Sequence, residues 1–317
     1  MRFKSETVKK LRGRLLNAWW RQTGVAAPTE TSFAYPPATE VEAAFTRSYP
    51  QRATYGAVDQ VDAAIEPLIS AGLLNSSDRR WNGETSVNYP AGSVYVLEQA
   101  SVISRQGILY DQDGVVLESL GGGALASVFD AGRPRRYLPR PRKVSGNLLV
   151  MARGVAQRNY YHWTFDMLSQ LRLIEQAGIT VDYVAAPKRH SFAADSLRLL
   201  GFKRSQIIPV GHYTHLRADQ LIVPSVACYY PHPAGVAYLH KQMDSQRWSH
   251  TRTEKRLKLY IARRRLSSRH IVNEAELFAS LKPLGFQRVY LENLSLQKQI
   301  QLFQQADAVV GPHGAGF

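Results

Sequence analysis

Residues 257–310 read LKLYIARRRLSSRHIVNEAELFASLKPLGFQRVYLENLSLQKQIQLFQQADAVV. Short apolar runs at 257–262, 288–291 and 308–310 have the length of buried strands. Between them, 274–284 and 296–306 carry the longer apolar spacing of helices. Strands and helices in alternation imply parallel strands joined by crossover helices, which is a doubly wound α/β sheet. Ligands of such sheets bind at the carboxyl ends of the strands. The residues just after 262 and 310 therefore matter most for function.

The same alternation runs upstream. Strands are expected at 148–151, 181–185, 206–210 and 220–223, helices at 162–176 and 192–200, and a connecting helix at 235–248. Two such series imply two Rossmann-like halves. Ahead of them, short β-rich runs at 94–97, 102–103, 108–109 and 115–117 are separated by turns, including Asp113-Gly114, a hairpin signal. They are expected to form a small antiparallel layer. Residues 121–142 read as a basic loop, 22–60 as an extended arm, and 61–80 as a short helix ending near Gly72. The expected units are 1–80, a helical and linker region; 81–234, the first Rossmann-like domain with its β layer; and 235–317, the second. The chain stops at Phe317, just after a strand, so the second domain is expected to be incomplete.

A length of 317 residues is enough for two domains with real cores. The net charge of +15 attracts nucleic acid, anionic lipid and phosphorylated substrates alike and does not choose among them. In the first 21 residues, Val8, Leu11, Leu15, Leu16, Trp19 and Trp20 recur at helical spacing among lysines and arginines. Such a helix packs on the protein's own body or lies on an anionic membrane surface. The single cysteine, Cys228, allows no intrachain disulfide and is expected in the core. There is no run of roughly 20 apolar residues that would span a bilayer, and no signal peptide pattern. A cytoplasmic protein is expected, with peripheral contact at the inner face of the membrane through residues 1–21 as an option.

Three clusters fall near expected strand ends. The first is Asn159-Tyr160-Tyr161-His162-Trp163-Thr164-Phe165-Asp166. His162 and Asp166 are four apart and share a helix face, where they could supply a base. Capping and aromatic packing would explain the same residues. The second cluster is Arg263-Arg264-Arg265, then Arg269 and Asn273-Glu274. Guanidinium groups grip phosphate with paired hydrogen bonds. Asn273, with Glu276 three residues on, reads as a capping box opening a helix whose N-terminus favours anions. The third is Gly311-Pro312-His313-Gly314-Ala315-Gly316, whose glycines permit close backbone approach to a ligand. Asp111-Gln112-Asp113 has the form of a metal-binding Asp-x-Asp, but the following Gly114 marks it as a hairpin turn. No spacing suggests a zinc site.

Together these clusters resemble glycosyltransferase family 61. The likeness lies in Asn159, His162, Trp163 and Asp166; in Arg263, Arg264, Arg269, Asn273 and Glu274; and in Gly311 to Gly316. It covers roughly residues 85–317. The resemblance implies two Rossmann-like domains of the B-type glycosyltransferase architecture, a nucleotide-sugar donor (most commonly uridine diphosphate-linked), inversion at the anomeric carbon, and a role in polysaccharide or glycoconjugate synthesis. The donor would be a co-substrate, with no cofactor and no metal. Arg263, Arg264, Arg269, Asn273, Glu274, His313, Gly314 and Ala315 would hold it. Asp166 is favoured as the base with His162 orienting it, though the two could exchange roles. Asn159 and Trp163 would lie on the acceptor side.

Two other readings compete. One is an inactive or regulatory fragment that binds a sugar nucleotide without turnover. The other is a basic nucleic-acid-binding protein, which rests on charge alone, since no recognition motif is present. A Ser-His-Asp hydrolase is disfavoured because no Gly-x-Ser-x-Gly elbow occurs.

Overall fold

The computed structural model describes residues 21–23, 25–26, 31–32, 37–48, 86–103, 107–120, 137–225, 231–245, 256–263, 271–312 and 314. The amphipathic segment up to Trp20, the helix expected within 61–80, most of the basic loop after 120, and Cys228 lie outside them.

The strands that frame the site are β1 (Thr39–Glu42), β2 (Gly92–Glu98), β3 (Ser101–Ile103), β4 (Ile108–Tyr110), β5 (Arg142–Val150), β6 (Tyr183–Pro187), β7 (Ile207–Val210), β8 (His215–Pro224), β9 (Leu257–Ile261), β10 (Phe286–Val289) and β11 (Ala306–Val310). The helices are α1, a composite run over 160–176, then α2 (Ser191–Leu199), α3 (Pro233–Ser245), α4 (Glu274–Leu281) and α5 (Leu296–Gln304).

Strands β5 to β8 are parallel and lie in the order β7-β6-β5-β8. In chain order this is third, second, first, fourth, so the winding reverses between β5 and β8. Central strands of such a sheet are covered on both faces and need consecutive apolar residues. Leu148, Leu149 and Val150 of β5, and Leu221, Ile222 and Val223 of β8, are fully buried. Alternation divides them. Leu149 and Ile222 join Trp163, Leu168, Leu171, Ala193 and Leu197 from α1 and α2. Leu148, Val150, Leu221 and Val223 join Tyr95, Leu97, Val102 and Leu109.

A bulge in β5 fixes its register. Pairing shifts between Val144 and Asn147, and Gly146 takes a φ of 94° there. The Gly146 N–H donates to Asp219 at 2.9 Å and the Asn147 N–H to Asp182 at 2.8 Å. A Cβ on Gly146 would overlap the Asp182 carboxylate, so glycine is required.

The short β-rich runs do not form a separate layer, which corrects the expectation. Strand β8 spans ten residues. It takes β3 along its first part and β2 along its last, both antiparallel. Strand β4 and the pairs Val116–Leu117 and Thr31–Ser32 extend the same sheet, which has ten strands among the described residues. β-propensity shows that a strand exists and not which edge it joins. Nor is the 22–60 arm simply a linker, because β1 pairs with β2. Glu42 at the end of β1 forms an ion pair with buried Arg172 of α1 and lies 3.4 Å from Nε2 of His232. Loss of one partner from a buried pair of this kind costs about 3–5 kcal/mol.

Helix α3 packs back on α1, with the Tyr238 hydroxyl donating to Glu175 at 2.7 Å. Beyond it, β9, β10 and β11 are parallel in the order β10-β9-β11. Helix α4 covers one face. The Tyr260 ring lies 5.7 Å from Phe278 of α4, and Arg288, paired with Tyr260 in register, sits over the same ring at 4.1 Å. The chain leaves β9 towards β10 and then crosses back to β11. Right-handed crossovers therefore set α5 on the opposite face, with a second switch point between β9 and β11. Helix α5 touches α2 of the first sheet.

Candidate functional site

Strand β5 leads through a short 3-10 turn, Gly154–Gln157, into α1. The extended backbone of Asn159 starts this helix, and its Oδ1 accepts the Tyr161 N–H at 2.9 Å. The run then changes pitch three times: an α turn at Tyr160–His162, a π segment at Trp163–Met167, a 3-10 turn at Leu168–Gln170, and α again at Leu171–Gln176. A π turn inserts one residue into a helix; such turns are rare and are frequently found at functional sites. Two hydroxyls take carbonyls along the run: Thr164 donates to Tyr160 at 2.8 Å and Ser169 to Phe165 at 2.5 Å.

His162 and Asp166 meet on this stretch. Nδ1 of His162 lies 2.7 Å from Oδ2 of Asp166, with the side chains 30% and 18% exposed. Burial pushes the Asp166 carboxyl above its usual value, while the hydrogen bond and charge of His162 pull it down. A half-exposed imidazole held by a less exposed carboxylate can accept a proton from a hydroxyl. The ring of Tyr161 packs edge-on to His162 at 5.4 Å and close to Phe165 at 4.9 Å.

Trp163 departs from its expected place on the acceptor side. It is fully buried, and its Nε1 donates to Ser196 Oγ at 2.9 Å. Its polar atom and its surface are both spent on joining α1 to α2. Asn159 likewise spends its Oδ1 on the helix start.

The second sheet brings two of the expected clusters together. After β9 the chain runs through Ala262 to Arg263, and after β11 through Gly311 and Pro312 to Gly314. Tyr260 and Val310 are register partners, so these exits are neighbours at the switch point. The Arg263 guanidinium lies against the Gly314 Cα, and a Cβ on Gly314 would overlap it. Gly314 is thus the space in which this cation is seated. Arg264, Arg269, His313 and Ala315 fall outside the described residues.

The capping box does not form. Asn273 has a φ of −100° and a ψ of 38°, and its side chain makes no cap. Its Nδ2 donates instead to Glu276 at 3.3 Å. Glu274 accepts from the Tyr260 hydroxyl at 3.1 Å and so ties α4 to β9. Burial, and then Glu274, push the Tyr260 phenol up to about 12.

Arg153 went unnoticed in the sequence. It lies three residues beyond the end of β5, is 1% exposed, and donates from Nη1 to Leu120 O at 2.9 Å and from Nη2 to Pro224 O at 2.5 Å. It therefore bridges the carboxyl ends of β5 and β8 at the switch point of the first sheet. Burial lowers it to about 10, so it stays a cation at neutral pH. An arginine closing the apolar run Leu148 to Ala152 was the available signal.

Asp111 behaves as a turn residue. Its Oδ1 accepts from the N–H groups of Asp113 at 3.0 Å and Val115 at 2.8 Å. Among the described residues no three His, Cys, Asp or Glu side chains gather as a metal-binding group, and no helix is long and apolar enough to cross a membrane.

Residues 160–317 match the family model described as Glycosyltransferase 61, a span that opens on the first residue of α1 and takes in His162, Asp166, Arg263 and Gly314. A search of curated proteins finds no match.

Proposed function

The chain belongs to glycosyltransferase family 61, and from that membership we propose an inverting transfer of a sugar from a nucleotide-sugar, uridine diphosphate-linked in the first instance, to an acceptor hydroxyl in polysaccharide or glycoconjugate synthesis. The observation that carries the reading is the 2.7 Å contact of His162 and Asp166 where an α turn passes into π pitch, beyond the carboxyl end of β5. Asp166 engages Nδ1 and leaves Nε2 as the nitrogen to take the acceptor proton. This reverses the roles first expected, because the histidine is the more exposed of the two and the carboxylate is already committed to it. As the acceptor oxygen bonds to the anomeric carbon, the bond from that carbon to the diphosphate oxygen breaks on the opposite side. Asp166 stabilises the imidazolium that forms.

The leaving diphosphate gathers negative charge. Arg263, seated on Gly314, is placed to neutralise it, and a fixed cation at a developing charge lowers the barrier. Arg264, Arg269, Asn273, His313 and Ala315 complete the proposed donor set, and Glu274 supports it through Tyr260. At the switch point of the first sheet the Arg153 guanidinium is buried and spent on backbone carbonyls, which favours the second sheet for the nucleotide. The two carboxyl edges would face each other across the α2–α5 contact, in a two-domain arrangement. The enzyme would act in the cytoplasm, with residues 1–21 as its contact to an anionic membrane.

Calorimetry with uridine diphosphate tests the donor half of this reading. Binding that weakens roughly tenfold in Arg263→Ala is the expected result. Equal binding in the variant would remove Arg263 from the site.

A further inference from the structure

The carboxyl edge of the first sheet combines positive charge with aromatic rings, and the transfer described above uses neither. Of the four stretches at this edge, three lie almost wholly within the described residues: 151–165 after β5, 187–194 after β6 and 210–216 after β7. They contain Arg153, Arg158, Lys188 and Arg189 and no aspartate or glutamate. The carboxylates that flank them are Asp166, which is committed to His162, and Asp195 on α2, which lies 4.0 Å from Arg198. By contrast, Asp182 and Asp219 are bound at the β5 bulge, ahead of the strand's carboxyl end. Arg153 is buried, but Arg158, Lys188 and Arg189 are exposed. None of these three forms an ion pair among the described residues. Like charges left together on one edge raise its potential and draw anions to it.

The rings lie in a row along the same edge. His190 stacks on Phe192 with centroids 5.2 Å apart and planes within 5°. Tyr160 meets Phe192 edge-on at 5.4 Å. All three are half-buried, so each keeps an accessible part. The row runs from Arg189 at one end to the turn that holds His162 at the other. Burial and the charge of Arg189 hold His190 below the ordinary histidine range, so it offers a neutral ring at neutral pH. Half-exposed rings beside a few polar groups are the usual lining of a small-molecule subsite.

We propose that the acceptor is an anionic sugar, a uronate or a sugar phosphate, whose charge is met by Arg158, Lys188 and Arg189 and whose ring lies on the His190–Phe192–Tyr160 row, with its hydroxyl towards His162. The inference rests on the glycosyltransferase reading of the same edge. A neutral acceptor would leave three cations there without a task.

The test is calorimetry of the full chain against three matched oligosaccharides ending in glucuronic acid, in glucose 6-phosphate and in glucose. Each is titrated at low and at high salt, with uridine diphosphate titrated in parallel. One or both anionic probes should bind roughly tenfold tighter than the neutral one, with the advantage shrinking in salt. Whichever anion wins identifies the source of the charge. The double variant Lys188→Ala/Arg189→Ala should lose the preference and keep uridine diphosphate binding. Equal binding of all three probes by a chain that binds uridine diphosphate would overturn the acceptor proposal alone. A preference that survives the double variant would also overturn it, as would a random-sequence oligonucleotide outcompeting both sugars. Loss of uridine diphosphate binding in the parent chain would count against the donor reading and not against the acceptor comparison.

Discussion

His162 Nδ1 and Asp166 Oδ2 are held 2.7 Å apart across a helical stretch that runs from an α turn into π pitch. If the imidazole is the base, His162→Gln should lower kcat by about 10²–10⁴-fold while uridine diphosphate affinity stays level. Asp166→Asn should lower it by a comparable factor, because Asn can hold the wrong tautomer. A small loss in His162→Gln beside a large one in Asp166→Asn would return the base to Asp166.

The pH profile follows from the same pair. The Asp166 carboxyl is raised above its ordinary value of 3.8, with burial as the larger cause. If transfer needs its anion, as proposed, the rate should climb with pH over a range above the ordinary carboxylate one. Stability runs the other way. A carboxyl raised by the fold contributes stability below its unfolded pKa and loses it as pH rises through the folded pKa. Asp166→Asn should therefore melt no lower than the parent at neutral pH, and its advantage should shrink in acid. A markedly lower melting temperature at neutral pH would show that the anion stabilises the fold.

Gly314 and Arg263 should act as one unit. Gly314→Ala displaces the guanidinium, so its loss of uridine diphosphate affinity, roughly tenfold, should match that of Arg263→Ala. The double variant should be no worse than either single one. Fully additive losses in calorimetry would separate the two residues.

Trp163 should matter to stability and not to the acceptor. Trp163→Phe removes the bond to Ser196 and should cost about 1–2 kcal/mol in urea unfolding. Trp163→Ala should cost about 3–5 kcal/mol. Acceptor KM should be level in Trp163→Phe, and a large rise would put the indole back in the site.

Most of the alternation was legible because buried parallel strands must be continuously apolar. Leu148 to Val150 and Leu259 to Ala262 show it plainly, although β5 begins earlier, at Arg142, where its first residues are exposed. Pairing was not legible. Nothing in Val94 to Leu97 says that they will extend the parallel sheet on the far side of β8, because that choice is made by tertiary packing. At the site, the spacing of His162 and Asp166 was readable and the π pitch was not. Trp163 looked available because its burial depends on Ser196 in a different helix. Gly314 looked like a flexible turn, while its role is to leave room for a side chain fifty residues away in sequence.

The extra residue of the π turn couples His162 and Asp166 to the core. Each residue of an α-helix advances about 100° around its axis. A one-codon deletion within 163–167 would restore α pitch and swing His162 off the sheet edge, but it would also unseat Trp163 from its slot against Ser196. Selection for a folded protein alone would therefore retain the bulge. In this lineage the shape of the active turn should outlast the activity, and a descendant that has stopped transferring sugar would still carry it.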